Sequence, residues 1–249
     1  MKKTIILLFI FIFWNGLPAQ SNILRQSEAE MIFFKALKTD IHALAAVENY
    51  FYFTAGIIPA ETSNRLDEYL AGAEQYHADL EIFNRREQQK DYLKITAYWH
   101  YIRHKTVHSY QKNLARKLTE KLENIHQLLT SFRKELQKEY TLQISNNQLT
   151  AGKILYYTHW LSTMYIAKQI QRDAYFDFQH NIAMENYQNL LEEVKKYKAG
   201  KKKDRKFFTY IYSQMQELKN MLDNEENNPE EIYKQTQLIH QNIYKYLFL

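Results

Sequence analysis

Between Gly72 and Gly152 the chain runs without one glycine or proline. A stretch of that length has few ways to turn sharply, whereas β-hairpins need turn residues every few positions. Its apolar residues recur instead at intervals of three and four, the period of a helix. The whole sequence holds five glycines and three prolines against 20 tyrosines and 14 phenylalanines. Those rings, apolar in body and polar at the tip, supply the bulk of the core. The fold class is therefore all-α: an elongated up-down helical bundle, either one continuous domain or two tandem units sharing a long central helix.

The central helix is predicted over 147–179. Leu149, Tyr156, Trp160, Met164 and Ala167 form one stripe, and Ile154, Tyr157, Leu161 and Tyr165 form another. A helix apolar on two faces is buried between several partners. Its neighbours follow in order. Ser27 and Glu30 make a capping box for a first helix that runs to Ala55, before Gly56. A second helix carries Leu66, Tyr69, Leu70, Ala73, Tyr76 and Leu80. A third starts near Asp91. Unbroken to Glu139 it would measure about 70 Å at 1.5 Å per residue, so a break near 109–113 is the competing expectation. Downstream, helices are predicted over 181–199 and from Asp204 to Leu222. Asn228, Pro229 and the acids Glu230 and Glu231 then open the last one.

The first residues read as an address. Lys2 and Lys3 precede ten apolar residues, 5–14, and Leu17-Pro18-Ala19 offers a cleavage point before Gln20. This is the layout of a signal peptide, with an uncleaved anchor as the alternative; the apolar run is short of the roughly 20 residues of a membrane span. The expected divisions are 1–19 signal peptide, 20–140 first helical unit and 141–249 second helical unit. The mature chain, exported to a periplasm or secreted, would hold about 230 residues and no later span. It has no cysteine, so packing rather than disulfides must hold it together. Thirty-three Lys and Arg against 28 Asp and Glu give +5, or +3 once Lys2 and Lys3 are removed. The one basic cluster, 196–206, lacks the arginine–aromatic interleaving of a nucleic-acid surface and reads as a solvated turn around Gly200.

The two halves echo one another. Gln26, Ala29, Ile32, Phe33 and Phe34 precede Gln148, Ala151, Ile154, Leu155 and Tyr156 by 122 positions. Glu74, Gln75, Tyr76 and Leu80 parallel Glu185, Asn186, Tyr187 and Leu191, and Asp91, Thr96 and Trp99 parallel Asp204, Thr209 and Tyr212. In this tandem arrangement the chain resembles the N-terminal sensor domain of type IV pili methyl-accepting chemotaxis transducers, itself similar to the helical periplasmic domains of nitrate sensors. The resemblance spans about 21–249. Units of that family open on a Gly-Arg-Gln-Arg-Met-Leu-Ser-Gln box; this chain has Arg25, Gln26 and an out-of-register Met31 in one unit, and Gln148 with no arginine in the other. The resemblance implies a sensor module and marks Arg25, Gln26 and Gln148 as ligand-binding positions. A membrane receptor or histidine kinase would then be its partner.

Chemistry-bearing patterns are few. His100, His104 and His108 stand four apart on one helix, and adjacent pairs share a face that suits zinc or copper. His100 and His108 are about 12 Å apart along the axis. A site therefore needs a ligand from another helix, for which His42, His77, His126, His159 or a carboxylate is available. Tyr156 and Trp160, with their aromatic neighbours, are candidate pocket walls for a small ligand. No cysteine nucleophile, Gly-x-Ser-x-Gly, His-Glu-x-x-His or phosphate-loop spacing occurs, and the expectation is a non-enzyme with no required cofactor. The function read from the sequence is thus a non-catalytic, exported, sensor-type module that binds a small ligand or a partner protein. The alternatives are an oligomerising helical scaffold and a histidine-rich metal-binding protein.

Overall fold

The computed structural model describes residues 25–81, 89–108, 111–197, 202–224 and 228–249. The segment read as a leader and the turn around Gly200 lie outside them. Eight α-helices occupy the described residues: α1 (Gln26–Thr54), α2 (Pro59–Glu81), α3 (Gln89–His108), α4 (Ala115–Glu139), α5 (Asn146–Ile170), α6 (Ala174–Lys195), α7 (Lys202–Asp223) and α8 (Pro229–Phe248). A 3-10 turn, Lys112–Leu114, precedes α4. None of these helices is long and apolar enough to cross a membrane.

The helices sort into two kinds. α4 and α7 each bury one stripe: Leu118, Leu122, Ile125, Leu129 and Leu136 on α4, and Phe208, Ile211, Met215, Leu218 and Leu222 on α7. α1 and α5 are buried nearly all round. From Thr39 to Tyr52 no residue of α1 is exposed, and Ala43, Ala45 and Ala46 let neighbouring backbones approach closely. α5 buries Ile154, Leu155, Tyr156, Trp160, Leu161, Met164 and Ile166 on opposite sides.

The expected central helix is therefore one of a pair. α1 packs on α2, α4 and α5, while α5 packs on α1, α6 and α8; α3 rests on α4, and α7 on α8. In each half the first helix meets the second and fourth, and the two first helices join the halves over one continuous core. The segments paired in the sequence fall on α1 with α5, α2 with α6, and α3 with α7.

Two boundaries differ from the sequence reading, and between the two expectations for the third helix the broken one holds. The first helix caps at Arg25, whose N–H donates to Glu28 Oε2 at 2.8 Å, rather than at Ser27. The long third helix breaks at the 3-10 turn, where Tyr50 of α1 accepts a hydrogen bond from the Gln111 N–H at 3.0 Å. The central helix stops at Ile170 rather than near Gln179. Asp173 is the reason: its carboxylate accepts from the N–H groups of Tyr175 and Phe176 at 2.9 and 3.2 Å and starts α6.

Two helices end in the same way. After α1, the Ile57 N–H reaches the Tyr52 carbonyl and Gly56 takes φ 77°, the left-handed residue of a Schellman turn. After α4, the Leu142 N–H reaches the Gln137 carbonyl, but the left-handed position is Thr141, with φ 49°. A β-branched residue is strained there by about 1–2 kcal/mol. Thr141→Gly should therefore raise stability by roughly 0.5–1 kcal/mol, the relief less glycine's extra chain entropy, read as a higher urea midpoint at unchanged slope.

Candidate functional site: a buried polar network on α1, α5 and α8

A buried polar side chain is costly unless it is hydrogen-bonded, and a buried charge more so. The enclosed stretch of α1 nevertheless carries Asp40, His42, Glu48 and Asn49. All four are buried, Glu48 and Asn49 completely. Each is turned toward a different neighbour.

Glu48 Oε2 forms a short hydrogen bond with His159 Nδ1 on α5. His159 Nε2 stands 2.6 Å from His240 Nδ1 on α8. Glu48, His159 and His240 thus form a continuous chain from α1 through α5 to α8, and the first two are fully buried. Around it, Tyr52 and Ser162 share a 3.0 Å hydrogen bond, and the Tyr233 hydroxyl donates to Asn49 Oδ1 at 2.7 Å. Gln237 Oε1 accepts from the Tyr69 hydroxyl at 3.2 Å and from Arg65 at 3.3 Å. The His240 ring stacks on Tyr244, with centroids 5.4 Å apart.

His42 lies about 1.7 turns before Glu48. Its ring meets the edges of Tyr69 and Tyr76 on α2 at 5.4 and 5.2 Å, and Tyr244 at 5.9 Å. Among the described residues neither of its nitrogens has a hydrogen-bond partner, and the same holds for Glu48 Oε1 and Gln237 Nε2. Burial, with the nearby Lys38 and His159, pushes the His42 imidazole down to about 4. Burial likewise drives His240 well below its ordinary value, helped by His159, His42 and Arg65.

A second polar cluster ties α1 to α4. Asp40 Oδ2 accepts from His126 Nδ1 at 2.8 Å and from both terminal nitrogens of Arg133 at 3.1 and 3.2 Å. Burial alone would raise the Asp40 carboxyl, but His126 and Arg133 together hold it below the usual range. The His126 ring stacks on Tyr156 at 3.7 Å, and Tyr156 lies parallel to Trp160 at 6.0 Å. Tyr156 and Trp160, the aromatic pocket candidates, are thus core residues layered behind an ion pair.

The other candidates lie apart. Arg25 and Gln26 are exposed at the start of α1. Gln148 completes a capping box: its Oε1 accepts from the Ser145 N–H at 3.1 Å, while Ser145 Oγ accepts from the Gln148 N–H at 3.2 Å. His100 and His104 sit on the exposed face of α3; the His108 side chain lies outside the described residues. No three His, Cys, Asp or Glu side chains among the described residues converge as metal ligands. Sequence reasoning passed over Glu48 and His240. The available signal was a carboxylate and a histidine inside otherwise apolar helical stretches, where an unpaired charge would be prohibitive.

Comparison with known proteins gives no relative: no family model, curated protein or solved structure matches the chain.

Two expectations follow from this packing. A Cβ at Gly72 would lie 2.3 Å from His42 Nδ1, and the surrounding tyrosines block the ring's retreat. Gly72→Ala should cost about 1–2 kcal/mol, overpacking outweighing alanine's better helix propensity, measured as a lower urea midpoint. The second concerns acid. His77 is also held down to about 4, by burial and then by His100. The native state keeps His42 and His77 neutral where the unfolded chain, titrating near 6.5, takes up protons. Stability should be complete above about pH 6.5 and decline as the pH falls toward about 4, with urea midpoints at pH 7.5, 6 and 5 as the check.

Proposed function

We propose that this chain is a non-catalytic, sensor-type binding module whose small ligand is received by the polar interior where α1, α2, α5 and α8 meet. The observation that carries the reading is the set of buried polar atoms there without partners: both nitrogens of His42, Glu48 Oε1 and Gln237 Nε2. Such groups destabilise a fold by about 1–3 kcal/mol each unless a ligand or water completes them. They offer a carboxylate acceptor, an amide donor and an imidazole, a set that suits a small polar molecule bearing at least one hydrogen-bond donor. The tandem helical arrangement of the chemotaxis-transducer sensor domains, which the sequence resembles, favours the same class of function. Export and coupling to a membrane receptor or histidine kinase belong to this proposal.

The test is a thermal-melt screen of amines, amino acids and small carboxylates, with Glu48→Gln and His42→Phe as controls. A ligand at a hundred times its Kd adds about 2.7 kcal/mol, which for a domain of this size raises Tm by roughly 5–10 °C. At least one compound should give that shift in the native protein and lose most of it in both variants. A concentration-dependent oligomer with no shift from any compound would instead favour the scaffold.

A further inference from the structure

The Glu48–His159–His240 chain has a property that does not depend on any ligand. Each of its links holds one proton, since in a hydrogen bond one atom donates and the other accepts. One proton lies between Glu48 Oε2 and His159 Nδ1, and one between His159 Nε2 and His240 Nδ1. With a third on His240 Nε2 the three side chains are neutral overall. A fourth has no harmless place. On His240 Nδ1 it sets two N–H groups head-on across 2.6 Å; on Glu48 Oε1 it leaves an uncompensated cation in a fully buried site.

We propose that this chain is an acid-sensitive latch fastening α8 to the α1–α5 pair, and that one added proton releases α8 while the rest of the bundle stays folded. The groups facing His240 all resist a positive charge there or leave it unpaired. From α1 come Lys38, whose ammonium lies over the Tyr244 ring at 5.7 Å, and His42; from α2 come Arg65 and Tyr69; from α5 comes His159. On α8 itself Tyr244 stacks on the imidazole, and Tyr233 is held by Asn49. Glu217 and Asp204 of α7 engage α8 at Gln235 and Tyr246. Glu68 of α2 acts on Tyr69 and Tyr244, but within the chain itself only Glu48 supplies a carboxylate, and His159 already engages it.

Release relieves the conflict, because an opened His240 titrates near 6.5. α8 can leave while α1 and α2 remain packed on one another. It packs mainly on α5 and α7 and reaches α1 and α2 through side-chain contacts, whereas α1 and α2 form a hairpin across the core. Its departure bares the apolar side chains Ile232, Tyr233, Ile239 and Ile243 and the face of α5 beneath them. The released state would then differ from the closed one in exposed apolar surface, the usual basis for engaging a partner only under one condition.

Hydrogen exchange followed peptide by peptide by mass spectrometry, corrected for intrinsic rates, tests this between pH 7.5 and 4.5. For a single linked proton, protection of α8 should fall about tenfold per pH unit below about 6.5, and α8 should stay less protected than the α1–α2 hairpin throughout the range. In His240→Gln, whose amide cannot be charged, the α8 slope should drop by that one proton, to no more than what His42 beside Tyr244 contributes. Constant α8 protection across the range would overturn the latch, as would equal protection of α8 and the hairpin at every pH, the mark of α8 opening only with the whole fold. An unchanged slope in His240→Gln would do the same. Should that variant not fold, the wild-type comparison of α8 with the hairpin decides alone.

Discussion

Fourteen consecutive residues of α1 are shut away from water, and five of them, Thr39, Asp40, His42, Glu48 and Asn49, are polar or charged. Once a helix is enclosed to that extent, each polar side chain on it must be answered by whatever packs there. Asp40 is answered by His126 and Arg133 of α4, Glu48 by His159 of α5, and Asn49 by Tyr233 of α8. These contacts select the rotation of α1 and the register of its neighbours more sharply than apolar contact does. A leucine tolerates a sliding partner; a buried carboxylate left without its donor costs about 3–5 kcal/mol. An all-apolar core of the same volume could be equally stable, so the gain from the polar residues lies in which arrangement is stable.

The two halves use this device alike. In each, the first helix is tied to the fourth by an imidazole: His126 of α4 to Asp40 of α1, and His240 of α8 to His159 of α5. The ties differ in what they do with charge. Asp40 meets an arginine as well as a histidine, so its negative charge is balanced at any pH where the carboxyl is ionised. At the other tie two histidines face one carboxylate at one remove, and the balance depends on how many protons the chain carries. One half is therefore fixed and the other is responsive.

That asymmetry also bears on where a ligand would act. The unpartnered atoms gather around the responsive tie, with His42 boxed by Tyr69, Tyr76 and Tyr244 and with Glu48 Oε1 unanswered. A small polar molecule completing those groups would fix the position of protons along the chain and so the seating of α8. Proton and ligand would then act on the same joint, each biasing one of two packings of α8.

Local sequence determined a good deal of this. The missing breakers imposed helices, the three-and-four spacing on α4 and α7 named their buried faces, and Asn228 with Pro229 marked the start of α8, because these effects act within a few residues. The end of α5 at Ile170 was legible too, since Asp173 is a cap; the apolar pattern continuing past it concealed the stop. Tertiary structure alone decided that α1 is a second hub. Its Asp40, His42, Glu48 and Asn49 mimic a solvated face, and only partners 86 to 184 residues away along the chain turn it inward. It also decided the site. Glu48, His159 and His240 sit on three helices far apart in sequence, and no spacing rule links them, because what makes them one chemical unit is the packing of helices around a shared core.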